Sequence, residues 1–476
     1  MKRNDVLQLE IIDYAFEGKG IAKVDIDERP GKKFVVFVHG AFPGDIVSAQ
    51  IIRKKKSYAE AKVLEVITPS EYRTEPKCVH FGICGGCKQQ NLDYSAQLKF
   101  KQEQVLDVFR KIGGLENFEV NDILPSEHIF YYRNKMEFSF ADKRWLTQEE
   151  ISKNSDSLQD RNFALGLHIP RIYDKVLDIN ECYLQSEISS GILNLTRDFF
   201  KGRGTTIFTT KTHEGNLRNL VIKQSKHTDD LMVNLVTSDD NEELMKEYSR
   251  ALLEKFPEIT TIINNVNKKK SQTAFGDYEK VYHGEGVIYD YIGGYKFRIS
   301  ANSFFQTNTL QGERLYQAAA DFAEFSKEDV VYDLYSGAGT ITIFISKYVN
   351  KVYGFESVDA AVKDAEANVK ENGIDNVNFF LADLNKSFSY LVEKASIPKP
   401  TVIIADPPRG GMNPRTVRDI ARLSPPKVVY ISCNPATQAR DIALLIEAGY
   451  KLIKIRPVDM FPHTHHIENV ALLIRK

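Results

Sequence analysis

Residues 330–346, VVYDLYSGAGTITIFIS, read in one pass as a buried strand, a glycine-rich turn and a helix. The run before Tyr335 is apolar on both faces, as a strand covered on both sides of a sheet must be. The alternation then repeats. KVYGFES (351–357) is a strand, VDAAVKDAEANVKENG (358–373) a helix, and VNFFLADL (377–384), TVIIADPPRGG (401–411) and VVYISCN (428–434) are further strands. Strands alternating with helices predict a doubly wound parallel sheet of the Rossmann type from about residue 285 to the end. Its strands end in order at Asp333, Glu356, Asp383, Asp406 and Cys433, so five polar or reactive residues share the edge where such sheets bind ligands.

The turn itself narrows the ligand. Gly337 and Gly339 supply G-x-G, but the third glycine of the dinucleotide fingerprint is missing. Glu356 follows about twenty residues later at the second strand end, where a carboxylate can accept both ribose hydroxyls of a nucleoside. The uncharged Ser-Gly-Ala-Gly-Thr loop suits S-adenosylmethionine better than a pyrophosphate. Asp383, after the third strand, is then placed to meet the adenine amino group.

Two loops carry the reaction. In DPPRGG (406–411) two prolines stiffen the chain as it leaves the sheet and fix the Asp406 carboxylate near the reactive end of the cofactor. Asp-Pro-Pro loops occur in enzymes that methylate exocyclic nitrogens, but an aromatic residue normally follows the prolines and here the position holds Arg409. Cys433 decides between the two chemistries. Asn434 and Pro435 turn the chain at once and leave the thiol at the ligand edge, and carbon 5 of uracil becomes nucleophilic only after something adds to carbon 6. A thiolate is the natural adder.

The other four cysteines have a different use. Cys78, Cys84 and Cys87 lie in CVHFGICGGCK with spacing C-x5-C-x2-C, where the glycines let several thiolates converge, and Cys182 is the remaining candidate for a fourth ligand. The compact C-x3-C-x2-C loop of radical S-adenosylmethionine enzymes is not this pattern. His463, His465 and His466 form a second cluster, but no cysteine or carboxylate nearby in sequence completes a ligand set with them.

At 476 residues, with 42% hydrophobic and 27% charged residues, the chain should divide into about three domains. The net charge of −1 gives no global nucleic-acid signature, leaving local patches such as Arg53-Lys54-Lys55-Lys56. The odd cysteine count and the start MKRNDVLQLE predict a reducing, cytoplasmic setting, and no stretch is long and apolar enough to span a bilayer. Short strand patterns in VLQLEIIDYAF, GIAKVDI, KFVVFVHG, IVSAQIIRKKK and AEAKVLEVI, separated by EGKG and FPGD turns, predict a small closed barrel over 1–66. YSAQLKFKQEQVLDVFRKIGG predicts a helix over about 94–113, stopped by glycine. The zone from about 118 to 280 reads as strand-rich and irregular, with YYRNKMEFSF, FALGLHI and NLRNLVIKQ as strands.

NSFFQTN (302–308), DLYSGAGT, DPPRGG, ISCNPAT and the terminal PHTHHIENVALL (462–473), together with the cysteine segment, resemble in order the motifs of the class I RNA 5-methyluridine (uracil-5-) methyltransferases. The resemblance covers nearly the whole chain and is of the 23S ribosomal RNA type. It implies a TRAM barrel of oligonucleotide-binding type over 1–66, which carries the FEGKGIA and FPGD turns. A strand-rich iron-sulfur domain would follow over 67–284, with its helix packing on the catalytic domain, and a methyltransferase domain over 285–476. It implies one four-iron four-sulfur cluster on Cys78, Cys84, Cys87 and Cys182. It also implies that Gln306, Tyr335, Glu356 and Asp406 contact the cofactor or target base, that Cys433 is the nucleophile and that Glu468 is the base. The chain departs from the family in having Ser336, Ala338 and Thr340 around the glycine turn. A monomer acting on ribosomal RNA is expected, with transfer RNA as the alternative, because relatives of the same build act on each. A passive iron-sulfur RNA binder would not need the set Gln306, Glu356, Asp406, Cys433 and Glu468, and an amino-methylating enzyme would not need Cys433.

Overall fold

The strand Val330–Leu334 lies inside an eight-stranded sheet, in a computed structural model described for residues 1–25, 33–152, 161–170, 172–271 and 273–476. Across the sheet the strands run Val377–Leu381, Lys351–Glu356, Val330–Leu334, Val402–Ala405, Lys427–Ser432, Glu468–Arg475, Tyr450–Val458 and Glu119–Val120. The first five are mutually parallel, and Glu468–Arg475 is antiparallel to both its neighbours. Strand order reverses direction between Val330–Leu334 and Val402–Ala405, which opens the crevice where this class of sheet binds ligands. Alternate side chains supply two cores. Val331, Val352, Ile404 and Ile431 point into one, under the helix Thr309–Ala323. Tyr332, Phe355, Ile403 and Tyr430 point into the other, under the helices Pro414–Leu423 and Pro435–Glu447. Each such aliphatic side chain contributes about 1.5 to 3 kcal/mol on burial, which is why both faces must be covered.

The N-terminal barrel is a six-stranded sheet spanning Val6–Glu10 to Tyr58–Thr68. Residues 11 and 12 carry the chain from one edge strand of that sheet, Val6–Glu10, to the other, Asp13–Ala15, where the Ile11 amide donates to the Asp45 carbonyl and the Ile12 amide to the Ile21 carbonyl. The strand expected in GIAKVDI runs over Lys19–Val24, and its Ile26 lies outside the described residues.

The helix Tyr94–Lys111 is capped by Asp93, whose side chain accepts from the Ser95 amide. It joins two bodies. Ala96 and Phe100 pack with Tyr14 and Phe42 of the barrel, whereas Val105, Val108 and Phe109 enter the methyltransferase core. The chain then adds Glu119–Val120 to the edge of the catalytic sheet before entering the central domain.

That central domain is a seven-stranded sheet that includes Lys135–Ala141, Ala164–Ile169 and Leu217–Gln224. It differs from the strand-rich reading in one respect. Two helices, Glu187–Lys201 and Glu242–Lys255, bury Ile192, Phe200, Tyr248 and Leu252 against the sheet. Their apolar residues do recur at helical spacing, but polar segments on either side mask the period.

Candidate active site at the sheet edge

The glycine turn holds an unusual backbone. Tyr335, Gly337 and Gly339 all have positive φ, at 68°, 53° and 80°. A Cβ on Gly339 would lie 2.7 Å from the Phe379 ring, so that position is glycine for space as well as conformation. The turn faces Glu356, which accepts from the Gly337 amide at 3.0 Å with one oxygen and from the Ser357 and Val358 amides at 2.6 and 2.8 Å with the other. This fixes the carboxylate at the sheet edge. Asp383 is more open. It accepts from the Asn385 amide at 3.0 Å, and that bond holds its carboxyl below the usual carboxylate range. The Tyr335 hydroxyl reaches Thr416 at 3.4 Å.

Across the crevice, Tyr316 collects a second group. Its hydroxyl lies 3.0 Å from Thr340 Oγ1 and feels the Asp406 carboxylate. Burial pushes Asp406 up to about 7. The Asp-Pro-Pro loop is tied to the cysteine loop beside it, since Asn434 Nδ2 donates to the Arg409 carbonyl at 3.1 Å and the Met412 amide donates to Asp441 at 2.7 Å. The Gln306 loop is braced from the central domain: Asn134 Nδ2 donates to the Gln306 carbonyl at 2.6 Å.

Cys433 and Glu468 complete the site. Ser432 pairs with Asn469 in the antiparallel ladder, so the next residue on each strand, Cys433 and Glu468, falls opposite the other. Burial lifts the Glu468 carboxyl well above the carboxylate range, and Asp406 adds to this. The Cys433 thiol is pushed up to about 11, first by burial, then by Glu468 and Asp406, with Arg409 opposing. Asn434 caps the helix that follows and Pro435 is its first residue, so Cys433 stands at a helix N-terminus, which favours an anion. Burial, with Glu468 and Asp406, outweighs that favour and holds the thiol neutral.

The loop before Glu468 is held from a distance. Lys101, fully buried, pairs with Asp459 at 2.6 Å and donates to the Phe461 carbonyl at 3.2 Å. Gln97 Oε1 accepts from the His463 amide at 2.9 Å, and the Lys88 and Gln89 amides both donate to the His463 carbonyl. His463 has φ 63°, and burial holds its imidazole neutral, down to about 4. Gln97 and Lys101 were not singled out from the sequence. Their signal was two polar residues at i and i+4 on a helix face that is otherwise buried.

Cys78, Cys84, Cys87 and Cys182 come together around one cavity beside Leu167 and Ile179. The Gly86 amide donates to Cys84 Sγ at 3.3 Å and Gln90 Nε2 to Cys87 Sγ at 3.2 Å, which are the contacts that steady a metal-bound thiolate. A Cβ on Gly85 would meet the His168 carbonyl at 2.5 Å, so the loop can approach the central sheet only through glycine. Burial pushes the Cys87 and Cys182 thiols up to about 12 and about 11. Among the described residues no three His, Cys, Asp or Glu side chains converge closely enough to hold a single metal ion, and His463, His465 and His466 form no ligand set. Four thiols with N–H···S donors are a donor set that an iron-sulfur centre would fit, and His80 and Glu181 line the same cavity.

Comparison with known proteins places this geometry. The profile of the tRNA (Uracil-5-)-methyltransferase family matches residues 225–476, and that of the TRAM domain matches residues 2–64. The chain is 43% identical to an uncharacterized RNA methyltransferase of Chlorobaculum tepidum, over all of this chain and 97% of the relative. It is 42% identical to one of Bacteroides thetaiotaomicron, over 96% of this chain and 99% of the relative. Among solved structures it resembles the tRNA (uracil-54, C5)-methyltransferase of Pyrococcus abyssi in complex with S-adenosyl-L-homocysteine. The TM-score is 0.74 and the identity 28%, over 98% of this chain and all of that one.

Proposed function

The chain belongs to the tRNA (uracil-5-)-methyltransferase family, an S-adenosylmethionine-dependent RNA methyltransferase with a TRAM domain, and from that premise we propose how its own residues divide the chemistry. The observation that carries the reading is the opposition of Cys433 and Glu468 at the crevice beside Asp406.

The target uridine leaves its stack so that carbons 5 and 6 are both reachable, at a cost of a few kcal/mol that favours single-stranded loops. Cys433 gives up its thiol proton to solvent, its Sγ bonds to carbon 6, and the electron pair displaced from the carbon 5–carbon 6 double bond toward the carbonyl oxygen is met by the Gln306 side chain. Carbon 5 takes the methyl group of S-adenosylmethionine, and the electron pair of the broken sulfur–methyl bond leaves on S-adenosylhomocysteine. Glu356 holds the ribose hydroxyls of that substrate, Asp383 its adenine amino group, and Tyr335, Gly337 and Gly339 its body. Asp406, ionised beside the sulfonium, is paired with its positive charge, which offsets the opposition of Asp406 to a thiolate at Cys433. Glu468, which burial makes a strong base once it is ionised, takes the proton of carbon 5, the electron pair re-forms the carbon 5–carbon 6 double bond as the Cys433–carbon 6 bond breaks, and 5-methyluridine leaves.

Cys78, Cys84, Cys87 and Cys182 would hold one four-iron four-sulfur cluster. The N–H groups of Gly86 and Gln90, which donate to Cys84 and Cys87, would steady the bound thiolates. The cluster would supply a structural anchor, since polar methyl transfer needs no electron. Among the described residues no helix is long and apolar enough to cross a membrane. A monomer working in a reducing, cytoplasmic setting fits this use of thiols.

For the substrate, ribosomal RNA of the 23S type is the first reading, supported by the pairing of a TRAM barrel with a four-cysteine site. The likeness to the Pyrococcus transfer RNA enzyme over 98% of the chain favours transfer RNA as the second. Mapping 5-methyluridine in both RNAs from a strain lacking the gene, with and without a Cys433→Ala copy, separates them. One site should vanish on deletion and stay absent with the variant.

A further inference from the structure

The NSFFQTN loop sorts its two aromatic residues. Phe305 is buried and packs on Phe297 with ring centroids 5.9 Å apart, whereas Phe304 is 68% exposed. Phe275, from a different loop, is 53% exposed and lines the same recess, together with Ile288, Ile299, Lys135 and Lys223. Two phenyl rings left in water on one small surface are unfavourable unless something covers them.

The recess is held in shape. Lys223 Nζ donates to the Ser300 and Ser303 carbonyls at 2.7 and 3.0 Å, and the Ser300 amide donates to Ser303 Oγ at 2.8 Å, so Phe304 stands on a braced turn. Two lysines line it: burial pulls Lys223 down to about 7 while its Nζ is held by the two carbonyls, and Lys135 lies 3.7 Å from Glu137. An apolar floor and two aromatic faces match the flat face of a nucleobase. Gln306 on the same loop is not part of the recess, nor are Cys433, Glu468 and Asp406. The loop therefore has two sides, with the reacting groups on one and the recess on the other.

We propose that the recess between Phe304 and Phe275 binds an unstacked base of the RNA that neighbours the target uridine, so that the enzyme reads a second nucleotide beside the one it methylates. This rests on the reading of the chain as a uridine methyltransferase acting through Cys433. RNA with a base removed or stacked away at that neighbouring position would lose the contact and not the chemistry.

The test uses the full-length enzyme and total RNA from a strain lacking the gene, grown with 5-fluorouracil. One half of the sample is denatured to score the complex joined through Cys433, and the other is irradiated with ultraviolet light and digested for mass spectrometry. The proposal expects nucleotides on the peptides containing Phe304 and Phe275, derived from a residue next to the trapped uridine. Phe275→Ala should lower kcat/KM roughly 5- to 100-fold, the usual range for one lost stack, with S-adenosylmethionine affinity unchanged and activity restored by Phe275→Trp. A normal Cys433 complex with no cross-link at either phenylalanine, or with full kcat/KM in Phe275→Ala, would overturn the proposal. So would a cross-link from Phe304 to the trapped uridine itself. Loss of the Cys433 complex would strike instead at the catalytic reading.

Discussion

Cys433 and Glu468 face each other one register step beyond the Ser432–Asn469 pair, on adjacent strands of the catalytic sheet. Backbone hydrogen bonds set this opposition, so it survives loss of either side chain. A nucleophile for carbon 6 and a base for carbon 5 need such a fixed relation, because the two atoms are adjacent in one rigid ring and are used in sequence.

Glu356→Gln should weaken S-adenosylmethionine binding and leave RNA binding intact. Gln keeps one acceptor oxygen for the turn, but charged hydrogen bonds to the ribose are lost, each worth about 1.5 to 3 kcal/mol. Calorimetry with the cofactor checks this, and unchanged affinity would remove Glu356 from the cofactor site.

Asp333→Asn should stabilise the ligand-free protein at high pH. Asp333 is wholly buried, and burial raises its carboxyl from 3.8 to about 7 despite a hydrogen bond from Thr342. Between those values the folded chain holds a proton that the unfolded chain has released, so stability falls as pH rises through the window. Between pH 5 and pH 8 the native protein should lose about 2 to 3 kcal/mol relative to the variant. Urea unfolding of both proteins at the two pH values measures it, and parallel pH dependence would refute it.

Asp406→Asn should make the Cys433 thiol easier to ionise. Asp406 is ionised where the thiol titrates and opposes the thiolate, so removing that charge lowers the thiol value. The midpoint of iodoacetamide alkylation at Cys433 against pH should fall in the variant. A midpoint that stays or rises would place Asp406 away from the nucleophile.

The four-cysteine site should carry iron and labile sulfide in anaerobically purified protein, which should be brown, and Cys182→Ser should lose the colour. A colourless, zinc-loaded and fully active enzyme would contradict the cluster.

The sequence made the strand ends and the two reactive loops legible because each is a local pattern: an apolar run, then a polar or Gly-Pro stop. Glu356 ends its strand, and Cys433 follows the last residue of its own by one position. Register is not local. Nothing in PHTHHIENVALL says that Glu468 will lie opposite Cys433, because that depends on an antiparallel strand inserted between Lys427–Ser432 and Tyr450–Val458. The Lys101–Asp459 pair was hidden for the same reason, its partners being separated by 358 residues. The helix Glu242–Lys255 was missed although Asn241 caps it, because a single Asn before two glutamates is weak against the strand-like segments around it.

The central claim is tested most directly by denaturing gel electrophoresis of Glu468→Gln after incubation with S-adenosylmethionine and RNA from a strain lacking the gene. Without the base, the methylated adduct on Cys433 cannot lose its carbon 5 proton, so RNA should stay attached to the protein through the gel. The native enzyme should give the same band with 5-fluorouridine RNA, because fluorine cannot leave carbon 5 as a cation, and Cys433→Ala should give none. A Cys433→Ala variant that still methylates RNA, or a Glu468→Gln variant that never retains it, would contradict the account.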